Sequence, residues 1–251
     1  MRSILVVLGT FLSMSALASP TQRAVAFCEV NQELCRDVEE LNPIRTRAGH
    51  FRFVGPSAEA EHVALAFLHR LIFGNDLPEV RSAIVPNCLT VFERDPELAH
   101  ALFDVESESM VRTRIVSTLG RLSGPQGALL LEKAALDSSA EVREVTAALL
   151  GYRSDFDALR VTALGFVNDP SAEVRAFGVR AFGWHGQPED FERLAPLLTD
   201  VSSRVRFQTV AALERLDDVR LRQSVMFQQL SEDSDPKVAG MVARILKSSN
   251  Q

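Results

Sequence analysis

Asp169-Pro170-Ser171-Ala172-Glu173-Val174-Arg175 is the stretch that decides the fold, because its Val-Arg pair returns down the chain at a nearly constant interval. The pair stands at Val80-Arg81, Val111-Arg112, Val142-Arg143, Val174-Arg175 and Val205-Arg206, and Val238-Ala239 keeps the place without the arginine. Successive intervals are 31, 31, 32, 31 and 33 residues. Five residues before each valine is Asn75, Glu106, Asp137, Asp169, Asp200 or Asp233, and eight after it is Cys88, Leu119, Leu150, Phe182, Leu213 or Leu246. Several positions recurring together at one period mark an internal repeat.

Each period reads as helix A, a tight turn, helix B and a loop to the next pair. Asp95-Pro96, Gly124-Pro125 and Gln187-Pro188 mark helix A starts, since proline at the first helical position lacks only an amide that would be unpaired anyway. Helix A offers Leu129, Leu130, Ala134 and Leu136, then Phe156, Leu159, Ala163 and Leu164, then Phe191, Leu194, Leu197 and Leu198. Helix B offers Val142, Ala147 and Leu150, then Val174, Val179 and Phe182, then Val205, Val210 and Leu213, a spacing that keeps one face inward. One pair is too small to bury that face, so the pairs are expected to stack around a continuous core. Ahead of them, Ser57 to Gly74 reads as a capping helix with Val63, Phe67, Leu68, Leu71 and Ile72 on one side.

The run Leu194-Ala195-Pro196-Leu197-Leu198-Thr199-Asp200, followed by Val205-Arg206, Ala211-Ala212 and Leu213, resembles a HEAT repeat. The helix A proline, the turn aspartate and the helix B Val-Arg stand in that family's places. The short period is similar to the HEAT-like repeats of phycobilisome lyases rather than to the longer eukaryotic form. The resemblance covers about Asn75 to Leu246. It implies an all-α fold, a right-handed α-solenoid of stacked antiparallel helix pairs. Pro196 has no counterpart in the other units, Glu106 replaces the usual aspartate and Met110 an acidic residue in one unit, and the last unit lacks its arginine. The expected organisation is a signal peptide over 1–18, an N-terminal segment over 19–56, the repeat array with its capping helix over 57–246 and a tail over 247–251.

Hydrophobic residues at 46% and charged residues at 24% describe a chain with enough apolar surface to fold. Its net charge of −6 argues against nucleic acid, whose phosphates call for a basic stripe. In residues 1–18 Arg2 is the only charge, Ile4 to Leu17 is largely apolar, and Ala16-Leu17-Ala18 has the small-x-small form of a cleavage site. This reads as a secretory leader removed before Ser19, and a secreted or periplasmic destination follows. The apolar run is short for a membrane span, and no later run suggests a transmembrane segment. Cys88 falls at a repeat position otherwise held by Leu or Phe and reads as a small buried hydrophobe. Cys28 and Cys35 are left as a pair. On one continuous helix they would be separated by a rise of about 10 Å, so a disulfide requires a break near Asn31; without it they are two thiols on one helix face. Arg45, Arg47, His50 and Arg52 form a basic loop that Glu33, Asp37, Glu39 and Glu40 can answer.

The recurring residues read as structural. Asp137, Asp169, Asp200 and Asp233 stand in the turn before helix B, where a short carboxylate accepts from free amides. Arg81, Arg112, Arg143, Arg175 and Arg206 would fall one above another and bridge to the aspartate of an adjacent unit, the alternative being a ladder that grips an anionic ligand. Function is expected where the units differ. Ten residues after successive valines stand Arg121, Tyr152, Trp184 and Arg215, which include the only tyrosine and the only tryptophan of the chain. With His185, Arg180 and Phe207 these are the candidate partner-binding residues, because large aromatics beside arginine anchor protein contacts. Arg114, Glu144, Phe177, Gln208 and Arg244 also lie off the buried stripe, on the face that lines the concave groove in HEAT proteins.

No Gly-x-Ser-x-Gly elbow, phosphate loop or His-Glu-x-x-His is present. His62 and His69 are about 10 Å apart along one helix, too far to share a zinc ion. Neither a cofactor nor a metal is expected. The reading is an exported, non-enzymatic scaffold or adaptor that binds another protein. A bilin-lyase-like enzyme is the alternative that the resemblance implies, and export argues against it because that chemistry belongs with cytoplasmic or plastid pigment proteins. A structural protein of the envelope is the other.

Overall fold

A computed structural model of the chain describes residues 20–33, 35–36, 57–74, 76–121 and 124–248. The leader over 1–18, the basic loop from Arg45 to Arg52, the turn residue Asn75 and the final residues of the tail lie outside the described residues. Every regular element among those described is a helix. No described helix is long and apolar enough to cross a membrane. The chain divides into two compact units, the first ending at Leu122 and the second beginning at Ser123.

In the first unit lie α1 (Pro20–Val30), α2 (Ser57–Phe73), α3 (Pro78–Ile84), α4 (Leu89–Arg94), α5 (Pro96–Val105) and α6 (Ser109–Leu119). The sequence suggested one apolar face for α2. Instead Ala64, Leu65, Ala66, Phe67 and Leu68 are all buried, because α1 covers one side while α4 and the 3-10 turn Val85–Cys88 cover another. A helix flanked in this way needs more than a stripe. Helix α1 ends at Val30, and the Asn31 side-chain amide donates back to the Phe27 carbonyl at 2.9 Å. That break lets the chain return. Cys28 and Cys35 are joined by a disulfide, with their Cα atoms 5.7 Å apart. The Cys88 thiol is fully buried, and burial pushes it far above its ordinary range.

The second unit contains α7 (Pro125–Ala134), α8 (Ala140–Leu150), α9 (Arg160–Phe166), α10 (Ala172–His185), α11 (Phe191–Leu194), α12 (Ser203–Leu216), α13 (Asp218–Gln223), α14 (Val225–Gln229) and α15 (Pro236–Ser248). Helix α10 packs against α8 on one side and α12 on the other, and α12 packs in turn against α15. All nine apolar residues expected on the inward face of α8, α10 and α12, from Val142 to Leu213, are fully buried. Thr146 and Thr209 share that core, each hydroxyl donating to the carbonyl one turn back, of Val142 and Val205. A buried hydroxyl without such a partner would be costly.

Helix A departs from expectation in detail. Leu129 and Leu136 are 46% and 87% exposed, and the buried set on α7 is Ala128, Leu130, Leu131 and Ala134. Leu136 lies beyond the end of α7, in the turn, so helical spacing does not govern it. Leu164 and Leu197 are half-buried. Later A segments are broken into short pieces: 3-10 turns at Phe156–Leu159, Pro188–Asp190 and Ala195–Thr199 alternate with α9 and α11. Pro196, which supplies no N–H to an α-helical ladder, sits inside one of these turns. In α15 the closed positions are Val238, Val242 and Ile245, while Leu246 is half-buried.

The turn residues tie one helix B to the next. Asp169 accepts the Ser171 amide at 2.8 Å and a two-pronged bond from Arg143 at 2.7 and 3.0 Å. Asp200 does the same with Ser202 and Arg175, and Asp233 with Asp235 and Arg206. Each arginine also uses Nη1 on the carbonyls of its own turn, as Arg143 does on Asp137 at 2.9 Å. Asp137 accepts the Ser139 amide. In the first unit Glu106 stands where the others have aspartate and fills the same role, taking the Arg81 fork and the Glu108 amide. Its extra methylene is accommodated without loss of either bond.

Candidate functional site

Three residues that do not recur, Tyr152, Arg180 and Trp184, meet on one face of the second unit. Gly151 follows the last turn of α8, and the six-membered ring of Trp184 rests on it: a Cβ at Gly151 would stand 3.0 Å from Trp184 Cε3 and Cζ3. Glycine is needed here for the close approach of the indole. Tyr152 follows directly, and its ring meets Trp184 edge to face at 5.3 Å. Both remain open to water, Tyr152 at 71% and Trp184 at 43% exposure.

Arg180 projects from α10 one turn before Trp184. Its guanidinium lies over three rings, 4.5 Å from Phe177, 5.2 Å from Trp184 and 5.9 Å from Tyr152. Rings on several sides hold such a cation in place through their quadrupoles. Its one hydrogen bond to protein is a long one, from Nη2 to the Ala148 carbonyl at 3.4 Å. Arg204, at the start of α12, also lies over Phe177, at 5.4 Å, and pairs with Glu173 at 2.8 Å.

The other candidates divide. Arg215 is exposed, with Nη1 close to Gly183 on the neighbouring α10. Phe207 is half-buried, one step off the open face. His185, a candidate partner-binding residue, is the last residue of α10 and half-buried. Its ring stacks on Phe156 at 5.0 Å, and Nε2 donates to the Gly151 carbonyl at 3.0 Å. Its polar edge is therefore engaged inside the fold. Arg121 is exposed and belongs to the first unit, as does Arg114. Arg244 pairs with Glu214. The ladder residues Asp137, Arg143, Asp169, Arg175, Asp200 and Arg206 are taken up by the turn and inter-helix bonds described above.

Two participants were not singled out from sequence. Arg204 stands one residue before its valine, where the preceding helix has Glu173, and that change of sign in register is the signal for it. Gly151 carries none, because only the packed indole shows what its missing side chain admits. The first unit has a separate concavity of about 300 Å³, lined by Leu71, Ile72, Leu102 and Val105 beside the Arg81–Glu106 pair. There the charged groups answer each other.

The carboxylates of the ladder are strongly held. Burial opposes ionisation of Asp169 and Asp200, yet the arginine fork and the turn amide outweigh it and keep both carboxyls below the usual aspartate range. For Asp233 the Arg206 fork is the largest influence, in the same direction.

No family model matches the chain, and no curated protein matches it. Among solved structures, the crystal structure of an engineered protein from the Northeast Structural Genomics Consortium is similar with a TM-score of 0.47 and 17% identity, covering 75% of this chain and 95% of that one. A likeness at that level carries no inference about fold or function.

Proposed function

We propose that the chain is an exported, non-enzymatic scaffold, a right-handed α-solenoid of HEAT-like units that holds another protein on the side chains its units do not share. The observation that supports this most is the contrast between recurring and unique residues. Recurring Arg and Asp positions are bonded to each other, whereas the only tyrosine and the only tryptophan stand side by side in water. Exposed large aromatics beside arginine are the residues that most often anchor a protein contact. The stacked architecture is supported by the period and by the ion pairs joining consecutive helix B elements. Export is supported by the leader-like first residues and by the Cys28–Cys35 bridge, since disulfides persist in oxidising compartments.

Binding of this kind works through shape. A stack of short-range contacts presents a pre-formed surface, so little ordering entropy is lost on association. The test is retention of proteins from the exported fraction by the purified full chain, measured by quantitative mass spectrometry. The expected result is a specific protein held by the wild type and released by Trp184→Ala. A chain that retains nothing above an unrelated control overturns the scaffold reading, and a covalent adduct with added bilin would replace it with the enzyme.

A further inference from the structure

We propose that the Arg180 face receives a short extended segment of the partner protein in which one Asp or Glu side chain stands next to an apolar residue, the carboxylate lying on Arg180 and the apolar group against Tyr152 and Trp184. This rests on the scaffold reading and states what kind of partner it holds.

Charge accounting within the second unit points there. Among its described residues, Arg180 and Arg215 are the arginines with no carboxylate within ion-pair distance. Every other arginine of the unit has one. The two lie on adjacent helices, Arg180 among the rings and Arg215 with Nη1 near Gly183. The nearest acid along α10, Glu173, is already paired with Arg204. Such a local surplus of positive charge, on a chain whose net charge is −6, marks a place where a carboxylate from outside is electrostatically welcome.

The bonding of Arg180 adds a second, independent observation. A guanidinium carries five N–H donors. Arg180 directs one to Ala148, and its Nε is shut away from water with no acceptor. An under-bonded head held among Phe177, Trp184 and Tyr152 is positioned to take a bidentate carboxylate on its open edge. Room for a ligand comes from register. Six residues after their valines, the helices flanking α10 carry Ala148 and Ala211, so Arg180 has a small residue on either side.

The same charges limit the ligand. A long acidic tract or a nucleic acid would meet the net negative charge of the rest of the chain, whereas a single carboxylate flanked by apolar groups would not. The apolar flank is required by the open faces of Tyr152 and Trp184, which gain most from an apolar neighbour.

Trp184 is the chain's only tryptophan, so its emission reports occupancy of this face directly. Random linear peptides displayed on phage are selected on the immobilised full chain, and the enriched sequences are titrated against Trp184 emission. Enriched peptides should share an Asp or Glu beside an apolar residue and should perturb the emission. Arg180→Gln, with an unchanged far-ultraviolet spectrum and melting midpoint, should weaken them roughly tenfold or more. Changing the peptide's acid to its amide should weaken binding equally and add nothing further in Arg180→Gln. Arg180→Lys, which keeps the charge and loses the fork, should restore only part of the affinity. Failure to enrich any peptide, enrichment of peptides without an acid, unchanged affinity in Arg180→Gln, or displacement by single-stranded DNA at similar concentration overturns this proposal. The scaffold reading has its own measurement: a partner retained from the exported fraction as well by Arg180→Gln as by wild type leaves that reading standing while this one fails.

Discussion

At the scale of single residues, each rung of the second unit uses one carboxylate for two purposes. Asp200 fixes the entry of α12 through the Ser202 amide and ties that entry to α10 through the Arg175 fork. Both side chains of the rung are largely buried, at 13% and 7% exposure. Removing one partner leaves the other charged and shut away from water, a change that costs about 3 kcal/mol or more, against about 1 kcal/mol for a lost turn bond alone. Asp200→Asn should therefore fall in the larger range in a urea melt, and a loss near 1 kcal/mol would show that the fork contributes little. The sign of the pH effect follows from the lowered carboxyls of Asp169, Asp200 and Asp233. Their stabilisation is fully present above the unfolded aspartate value of about 3.9 and is lost as pH falls through the lower folded values. Stability should hold level down to about pH 5 and decline below about pH 4. The decline should be shallower in Asp200→Asn. A loss of stability already complete at pH 5 would place the effect in other groups.

At the scale of elements, the close pair α9 and α10 shows how a unit departs from its neighbours without breaking the pattern. Four residues after the valine the other helices of this unit have Thr146, Thr209 or Val242, and α10 has Gly178. A Cβ there would stand 2.8 Å from Phe166 Cβ and 3.2 Å from backbone atoms of Phe166 and Val167. The volume that a side chain on α10 would fill is taken by Phe166, which is 2% exposed. Gly178→Ala should gain helix propensity of about 1 kcal/mol yet lose about 1–3 kcal/mol to the clash, giving a net decrease in melting temperature. An increase would show that α9 moves aside freely. This exchange explains what sequence could and could not tell. Positions that every unit shares, such as Val142, Val174 and Val205, were legible because repetition averages out local accidents. Leu129 and Leu136 were misjudged because the A segments are irregular: α7 ends before Leu136, and the later copies are broken by 3-10 turns. At the candidate site, Tyr152, Trp184 and Arg180 could be found as departures from the repeat. The seat of Trp184 on Gly151 and the inward turn of His185 could not, since both depend on contacts between helices about a period apart.

At the scale of the whole molecule, both units use the ion-paired turn, Arg81–Glu106 in the first and three rungs in the second, and the first adds a fastening of its own. In the second unit the ion-paired turns connect each helix B to the next. In the first, α1 lies outside the repeat: a disulfide joins it to the residues just after it, and Ala24 and Phe27 are buried where α1 packs on α2. The short loop so closed restricts the unfolded chain by roughly 2 kcal/mol. Without the bridge, the segment after Asn31 loses its tether, and α1 keeps only its own short apolar face to hold it. Cys28→Ser combined with Cys35→Ser should therefore raise amide hydrogen exchange in α1 and in the middle of α2, where Ala64 to Leu68 depend on that cover. Exchange in α10 and α12 should stay at its wild-type rate, because their protection comes from the rungs and from their own buried faces. In the proposed stacked array a local loss reaches only immediate neighbours. Equal acceleration in α12 would mean that the chain unfolds as one cooperative body, and that the period sets its geometry without dividing its stability.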